Sequence, residues 1–221
     1  MEQDAKLLLE DLYRDHHQKK GRYGYLFCHG KRVPYLQKWI GKNKKVLDLG
    51  CRDGELTKHF AKDNDVVGVD IDRAALEIIE KNLGIETLWL DLNREWPFSE
   101  STFDVIVSCE IVEHLYYPHL FLQRIFKTLQ PGGIFIGSVP NSFRIRNRFK
   151  FLFGNEFETD KTHVNMYSYH TLMELLKGFF PKVEIVPIQG KILPWAPVKE
   201  NSPFLLKRLF ARDLLWKASK K

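Results

Sequence analysis

The residues Cys109–Leu115 read CEIVEHL and bring two carboxylates and an imidazole close together in the chain. A helix starting near Glu110 would put Glu110, Glu113 and His114 at i, i+3 and i+4, on one face. A second imidazole, His163, stands in KTHVNMYS, just before the helical pattern Ser168–Gly178. Side chains of these types support two chemistries. Two carboxylates and two imidazoles can hold a divalent cation of the magnesium, manganese or iron type. Without a metal, His114 or His163 is the candidate general base. A near-neutral imidazole takes a proton from a hydroxyl while the oxygen attacks an electrophile. The plainer reading is that acids at a helix start answer its dipole and that each histidine is a hydrogen-bonded structural residue.

These residues must be positioned by a scaffold, and the hydropathy pattern describes one. Apolar runs alternate with helical patterns, which argues for a parallel sheet with helices on both faces. The pattern predicts strands at Lys45–Leu49, Val66–Asp70, Glu86–Leu90, Phe103–Cys109, Gly133–Val139, Lys182–Pro187 and Leu214–Ala218. It predicts helices at Glu55–Lys62, Asp72–Leu83, Pro118–Leu129 and Ser168–Gly178. The polar link Asn93–Thr102 is too short for a full crossover helix. No repeats or low-complexity tracts interrupt this order.

The first strand runs into KVLDLGCRDG, Lys45–Gly54, and the second ends VVGVD at Val66–Asp70. Gly50 and Gly54 open a tight turn, with Cys51 between them, where a ligand can approach the backbone. An acid after the next strand, Asp70, suits ribose hydroxyls. Asp53 and Glu55 crowd the turn with negative charge, which disfavours the phosphates of a dinucleotide.

From Lys45 onward the chain resembles class I S-adenosylmethionine (SAM) methyltransferases. That resemblance implies an α/β, Rossmann-like sheet of seven strands, mostly parallel, in the order 3-2-1-4-5-7-6, with the seventh antiparallel. It also implies the cofactor site. Asp48 would order the turn and face the amino group of the methionine moiety. Gly50, Cys51 and Gly54 would line the turn, and Asp70 with Ile71 would meet the ribose. Asp91 and Leu92 would meet adenine, the alternative for Asp91 being a strand-end Asx turn. Cys109 and Glu110 would lie beside the methionine and the methyl group. The chain departs from the family at Arg52, where Gly is usual. Arg52 would either tighten the approach to the methionine moiety or point to solvent. A similar Glu-x-x-Glu-His with a distal His occurs in small-RNA 2′-O-methyltransferases that use a metal, whereas Glu-His-Leu is common in metal-free small-molecule enzymes. The metal-free reading is preferred, with Glu110, Glu113, His114 and His163 as the alternative ligand set.

Three segments lie outside the sheet pattern: a helical cap at 1–41, an insertion after the fifth strand at 141–162, and a Pro-rich connection at Lys191–Pro203. Such additions usually form the substrate pocket in this family. Within the insertion, SFRIRNRFKFLFG (Ser142–Gly154) gathers Ile145, Phe149, Leu152 and Phe153 on one helical face, with Arg144, Arg146, Arg148 and Lys150 supplying the other. Phe204–Arg212 repeats this design. Packing on the domain is the default for both; an anionic membrane surface or RNA phosphates are the alternatives.

With 221 residues and 44% hydrophobic content, the chain suits one domain with a full core. No apolar run is long enough to span a bilayer, and MEQDAKLLLEDL is too acidic for a signal peptide. Cys28, Cys51 and Cys109 are too scattered for a disulfide framework or zinc site, so a reducing cytoplasm is expected. The net charge of +6 invites an anionic partner. The expectation is a SAM-dependent methyltransferase acting on oxygen of a small molecule, a sugar or other glycan, or a lipid-linked precursor. A metal-dependent RNA ribose methyltransferase and a non-catalytic SAM-binding scaffold are the competing readings.

Overall fold

Val46, Leu47 and Leu49 are fully buried, on both faces of the strand β1 (Lys45–Leu49). A parallel strand covered by helices on both sides loses the alternation of a half-exposed one, which is why this stretch reads as a continuous apolar run. The structure is a computed structural model that describes residues 2–19, 21, 23–25, 29–94, 96–156, 160, 162–193, 195–199 and 201–221. Cys28 lies outside the described residues, as do residues 157–159 and 161 of the insertion.

Helices α1 (Glu2–Lys19) and α2 (His29–Ile40) precede β1. There follow α3 (Lys58–Ala61), β2 (Asp65–Asp70), α4 (Arg73–Leu83), β3 (Glu86–Trp89), β4 (Phe103–Cys109), α5 (Pro118–Thr128) and β5 (Leu129–Pro140). The chain continues through α6 (Ile145–Leu152), α7 (Tyr169–Lys177), β6 (Lys182–Leu193), the two-residue β7 (Ala196–Pro197), α8 (Phe204–Phe210) and β8 (Ala211–Ser219). The sheet order is β3-β2-β1-β4-β5-β8-β6-β7. The β1–β5 set is parallel, and β8 runs antiparallel to both β5 and β6. This is the expected order with one short edge strand added, making eight strands instead of seven.

Local signals account for most boundaries. Asp72 caps α4 by accepting from the Ala75 N–H at 3.2 Å, and Gly84 ends it in the left-handed region. Ser168 and Thr171 form a capping box at the start of α7. The helix expected from Glu55 to Lys62 is shortened to α3, because Gly54 and the residues after it form turns. On one face of the sheet, Phe135, Phe180 and Trp216 pack together with Phe121 and Leu214. Burying each of these aromatic side chains is worth about 1.5–3 kcal/mol. Gly137 permits this packing: a Cβ there would lie 2.2 Å from the Trp216 ring and 2.4 Å from the Ser108 carbonyl. The other face is covered by α2, with Leu36 and Ile40 against Val46, Val105 and Ile136.

The helix expected to start at Glu110 does not form. Glu110 adopts φ +59°, and only a 3-10 turn, Val112–His114, follows. The N–H of Glu110 donates to the Ser138 carbonyl, so the backbone is still held by the sheet at this point. Glu110, Glu113 and His114 therefore do not share a helix face. No helix among the described residues is long and apolar enough to cross a membrane.

Candidate active site

A cavity of about 650 Å³ opens at the carboxyl ends of β1, β2, β4 and β5. That is the place where open α/β sheets take ligands, and the volume suits a nucleoside-sized cofactor with part of an acceptor. Gly50 and Cys51 line it at the end of β1, Asp70 and Ile71 at the end of β2, and Asp91 and Leu92 after β3. Cys109 and Glu110 line it at the end of β4, and His114 and His163 complete that wall. Asp48, Gly54 and Glu113 lie behind this lining.

Gly50 sits at φ +78°, and a Cβ there would meet Ile111 at 2.1 Å. Both constraints call for Gly at the turn. Gly54, at φ +81°, is pressed against Ile79 of α4 and shapes the turn from behind. The Asp70 carboxylate is held by two backbone donors: Arg52 N–H reaches Oδ2 at 2.8 Å and Asp72 N–H reaches Oδ1 at 2.9 Å. Each oxygen retains a lone pair, so the group can still accept from vicinal hydroxyls. Burial pushes its pKa up, with His17 and the two N–H bonds opposing that. Asp91 accepts from the Asn93 N–H at 3.0 Å, which is the Asx turn, and it lines the cavity as well.

Arg52 adopts φ +48°, the conformation for which Gly is the usual residue. Its side chain does not point to solvent. Nε donates to Asp53 at 3.0 Å, and the guanidinium donates to the Tyr25 carbonyl at 2.5 Å. The Tyr23 hydroxyl reaches Asp72 at 2.5 Å, and the Gly24 N–H reaches Asp53 at 2.6 Å. These bonds clasp the N-terminal segment over the glycine turn and bring Tyr13 and His17 of α1 to the cavity.

Asp48 is fully buried and accepts from the Thr57 hydroxyl at 2.6 Å. Burial pushes its pKa up to about 7, the bond to Thr57 pulling the other way. Folded protein thus keeps a proton that the unfolded chain, near its ordinary 3.8, releases. Through this group, stability falls as pH rises from about 4 to about 7. Asp48→Asn is expected to flatten that slope in thermal melts of the ligand-free protein; an unchanged slope would clear Asp48 as its cause. Burial also pushes the Cys109 thiol up to about 12 and raises Cys51, so neither is a thiolate nucleophile.

On the cavity wall at the β4 end, Glu110 accepts from Arg32 at 2.9 Å and from the Ser138 hydroxyl at 2.7 Å. Asp213 of β8 lies 3.7 Å from the same guanidinium. Glu113 is buried, and neither carboxylate oxygen has a hydrogen-bond partner among the described residues. Burial first, and then the nearby Glu110, raise its pKa well above the carboxylate range. His114 Nδ1 donates to the Thr162 carbonyl at 3.0 Å, which fixes the tautomer and leaves Nε2 as the acceptor nitrogen. Its pKa is not near-neutral as expected: burial, then His163, lowers it to about 4. The His114 and His163 ring centroids are 4.7 Å apart at 71°. Donor atoms of Glu113, His114 and His163 fall within 4.8 Å of one another. Of the four alternative metal ligands, three converge and Glu110 turns away to Arg32.

His163 is brought in by a stitched segment. Val164 and Asn165 N–H groups donate to the Glu113 carbonyl, and the Asn165 side chain donates to the Leu115 carbonyl at 2.6 Å. Asp160 accepts from the Thr162 hydroxyl at 2.6 Å, holding the carbonyl that orients His114. Arg144 and Asn147 of the insertion line the cavity, and so do Arg32, Arg212 and Asp213, which sequence reasoning did not assign to the site. A single arginine in α2 and a single acid in β8 carry no local pattern that could have pointed to them.

A profile described as "Methyltransferase domain" matches residues 16–179. The chain belongs to this family of class I SAM-dependent methyltransferases. It is 29% identical over 126 residues to the ubiquinone biosynthesis O-methyltransferase of Histophilus somni, covering 51% of this chain and 53% of the relative. It is also 29% identical over 109 residues to that of Nitrosococcus oceani, covering 46% of each. The chain thus spans about half the length of the curated relatives it matches. A SAM-dependent methyltransferase from Archaeoglobus fulgidus superposes with a TM-score of 0.64 at 18% identity, over 85% of this chain and 92% of that one. That likeness is one of fold. The glycine cradle at Gly50 and the oriented Asp70 carboxylate fit SAM, which this family uses as its methyl donor.

Proposed function

We propose that this methyltransferase transfers the SAM methyl group to a hydroxyl oxygen of a small molecule, a glycan or a lipid-linked precursor. Supporting this reading is the pair of imidazoles, His114 and His163, on the cavity wall next to the β4 end. When bound, SAM supplies a methyl group already activated on a sulfonium. The chain's part is alignment, exclusion of water and removal of one proton. Asp70 and Gly50 would hold the ribose and methionine ends, with Asp91 and Leu92 at adenine. His114 Nε2 would accept the acceptor's proton, while the Thr162 carbonyl on Nδ1 stabilises the imidazolium formed. The depressed pKa of His114 keeps it neutral at physiological pH but makes it a weaker base than a free imidazole, so the proton would move late, as the methyl transfer acidifies the hydroxyl. The likeness to O-methyltransferases supports oxygen as the atom modified. A screen of hydroxylated acceptors with methyl-labelled SAM tests the reading; failure of the protein to bind SAM in calorimetry would overturn it.

A second reading, metal-assisted transfer, is favoured by the unpartnered Glu113 carboxylate. A divalent ion would displace its proton and join it to His114 and His163, with the Thr162 carbonyl as the outer partner of His114. Treatment with a chelator separates the two. The base mechanism expects unchanged turnover. Abolished turnover, restored by a magnesium or manganese salt and mimicked by Glu113→Ala, would decide for the metal.

A further inference from the structure

Helix α6 is inside out. At about 100° per residue, Phe149, Leu152 and Phe153 share one face, and Asn147 lies on the opposite one. Packing on the domain was expected to bury the apolar face. Instead Asn147 is the buried residue, donating to the Ser142 carbonyl at 2.9 Å, and it lines the cavity. Most of the apolar face is turned to solvent: Ile145 at its start is half-buried, but Phe149 is 55% exposed, and Leu152 and Phe153 are each 74% exposed. Exposed Arg146 and Arg148 flank this stripe on its two sides.

Helix α8 lies against α6 and extends the surface. It buries no residue, and Leu205 is 63% exposed. Neither helix contains an acid, while α6 carries Arg146, Arg148 and Lys150, and α8 carries Lys207 and Arg208. Arg208 is braced over the Tyr169 ring at 5.4 Å, and the Asn141 side chain donates to the Arg208 carbonyl at 3.0 Å. Asn141 also lines the cavity, so the surface is tied to its mouth.

We propose that the exposed face of α6 and α8 docks on an anionic lipid bilayer. An apolar stripe flanked by cations matches the boundary between acyl chains and anionic headgroups. RNA bases could stack on the phenylalanines, but Leu152 and Leu205 are aliphatic and cannot stack, so RNA leaves their exposed area unexplained, whereas a bilayer accounts for the aliphatic and aromatic residues together. Docked this way, α6 has its outer face in the lipid and Asn147 on the cavity, so the mouth opens at the bilayer surface. Resting on the methyltransferase reading, the consequence is that the acceptor is an amphiphile drawn from the membrane.

Flotation of the full chain with phosphatidylglycerol–phosphatidylcholine vesicles tests the surface. Binding to these, and little to pure phosphatidylcholine, is expected. Phe149→Ser with Phe153→Ser should reduce binding by ~10-fold or more with an unchanged thermal melt, since both rings are already exposed. Arg146→Gln should reduce it by about fivefold. No binding of the full chain to anionic vesicles overturns the proposal. So does unchanged binding in the double variant, or association with single-stranded RNA or a second copy in place of vesicles. SAM calorimetry run in parallel reads the catalytic proposal separately, because these side chains lie outside the cofactor site.

Discussion

His114→Ala is expected to lower kcat by ~100-fold or more, with the affinity for SAM little changed. The imidazole is placed by three separate constraints: the 3-10 turn Val112–His114, the Thr162 carbonyl on Nδ1, and the edge of the Tyr13 ring at a centroid distance of 5.9 Å. Removing it takes away the acceptor nitrogen on the cavity wall and leaves the glycine turn and its acids untouched. His114→Asn provides the control. Its side-chain amide can still donate toward the Thr162 carbonyl but cannot take a proton, so it should be as slow as the alanine variant. If asparagine restores most of the rate, His114 holds the wall in place and the base lies elsewhere, with His163 the next candidate. A loss confined to KM would remove both from the chemistry.

Asp70→Ala should weaken SAM and S-adenosylhomocysteine binding by about 1–3 kcal/mol, the cost of taking a buried acceptor from its donors, or roughly 5- to 150-fold in Kd. The effect has two sources. The ribose hydroxyls lose their acceptor, and the N–H groups of Arg52 and Asp72 lose the carboxylate that orders them. The second effect loosens the turn on which the N-terminal clasp is built. An unchanged Kd by titration calorimetry would show that the ribose is held elsewhere.

Much of this molecule was legible in local pattern. The strand β1 ends where expected because a buried apolar run must stop at a Gly turn with positive φ. Asp70 and Asp91 stand at strand ends, and parallel sheets gather their strand ends on one edge, so position along the chain translated directly into position around the cavity. The helix start at Asp72 was legible too, because the cap Asp72 makes on α4 is a contact between near neighbours. Glu110 was misplaced for the same local reason in reverse. Its i, i+3, i+4 spacing with Glu113 and His114 describes a helix, but tertiary bonds override it: the Ser138 carbonyl takes its N–H, and Arg32, 78 residues away, takes its carboxylate.

The sequence by itself determined the strands, the glycine turn and the acids that close the strands, since each is written in periodicity, turn residues and short spacings; the order of the sheet followed from the family resemblance those motifs carry. Only the tertiary structure decided which groups face one another across the cavity. It set His163 against His114, left Glu113 without a hydrogen-bond partner among the described residues, and turned Arg52 toward the N-terminal segment. It also decided that α6 keeps Asn147 inward and its phenylalanines outward. Amphipathic spacing shows that a helix has two faces; which one the protein covers depends on the neighbours the fold brings to it.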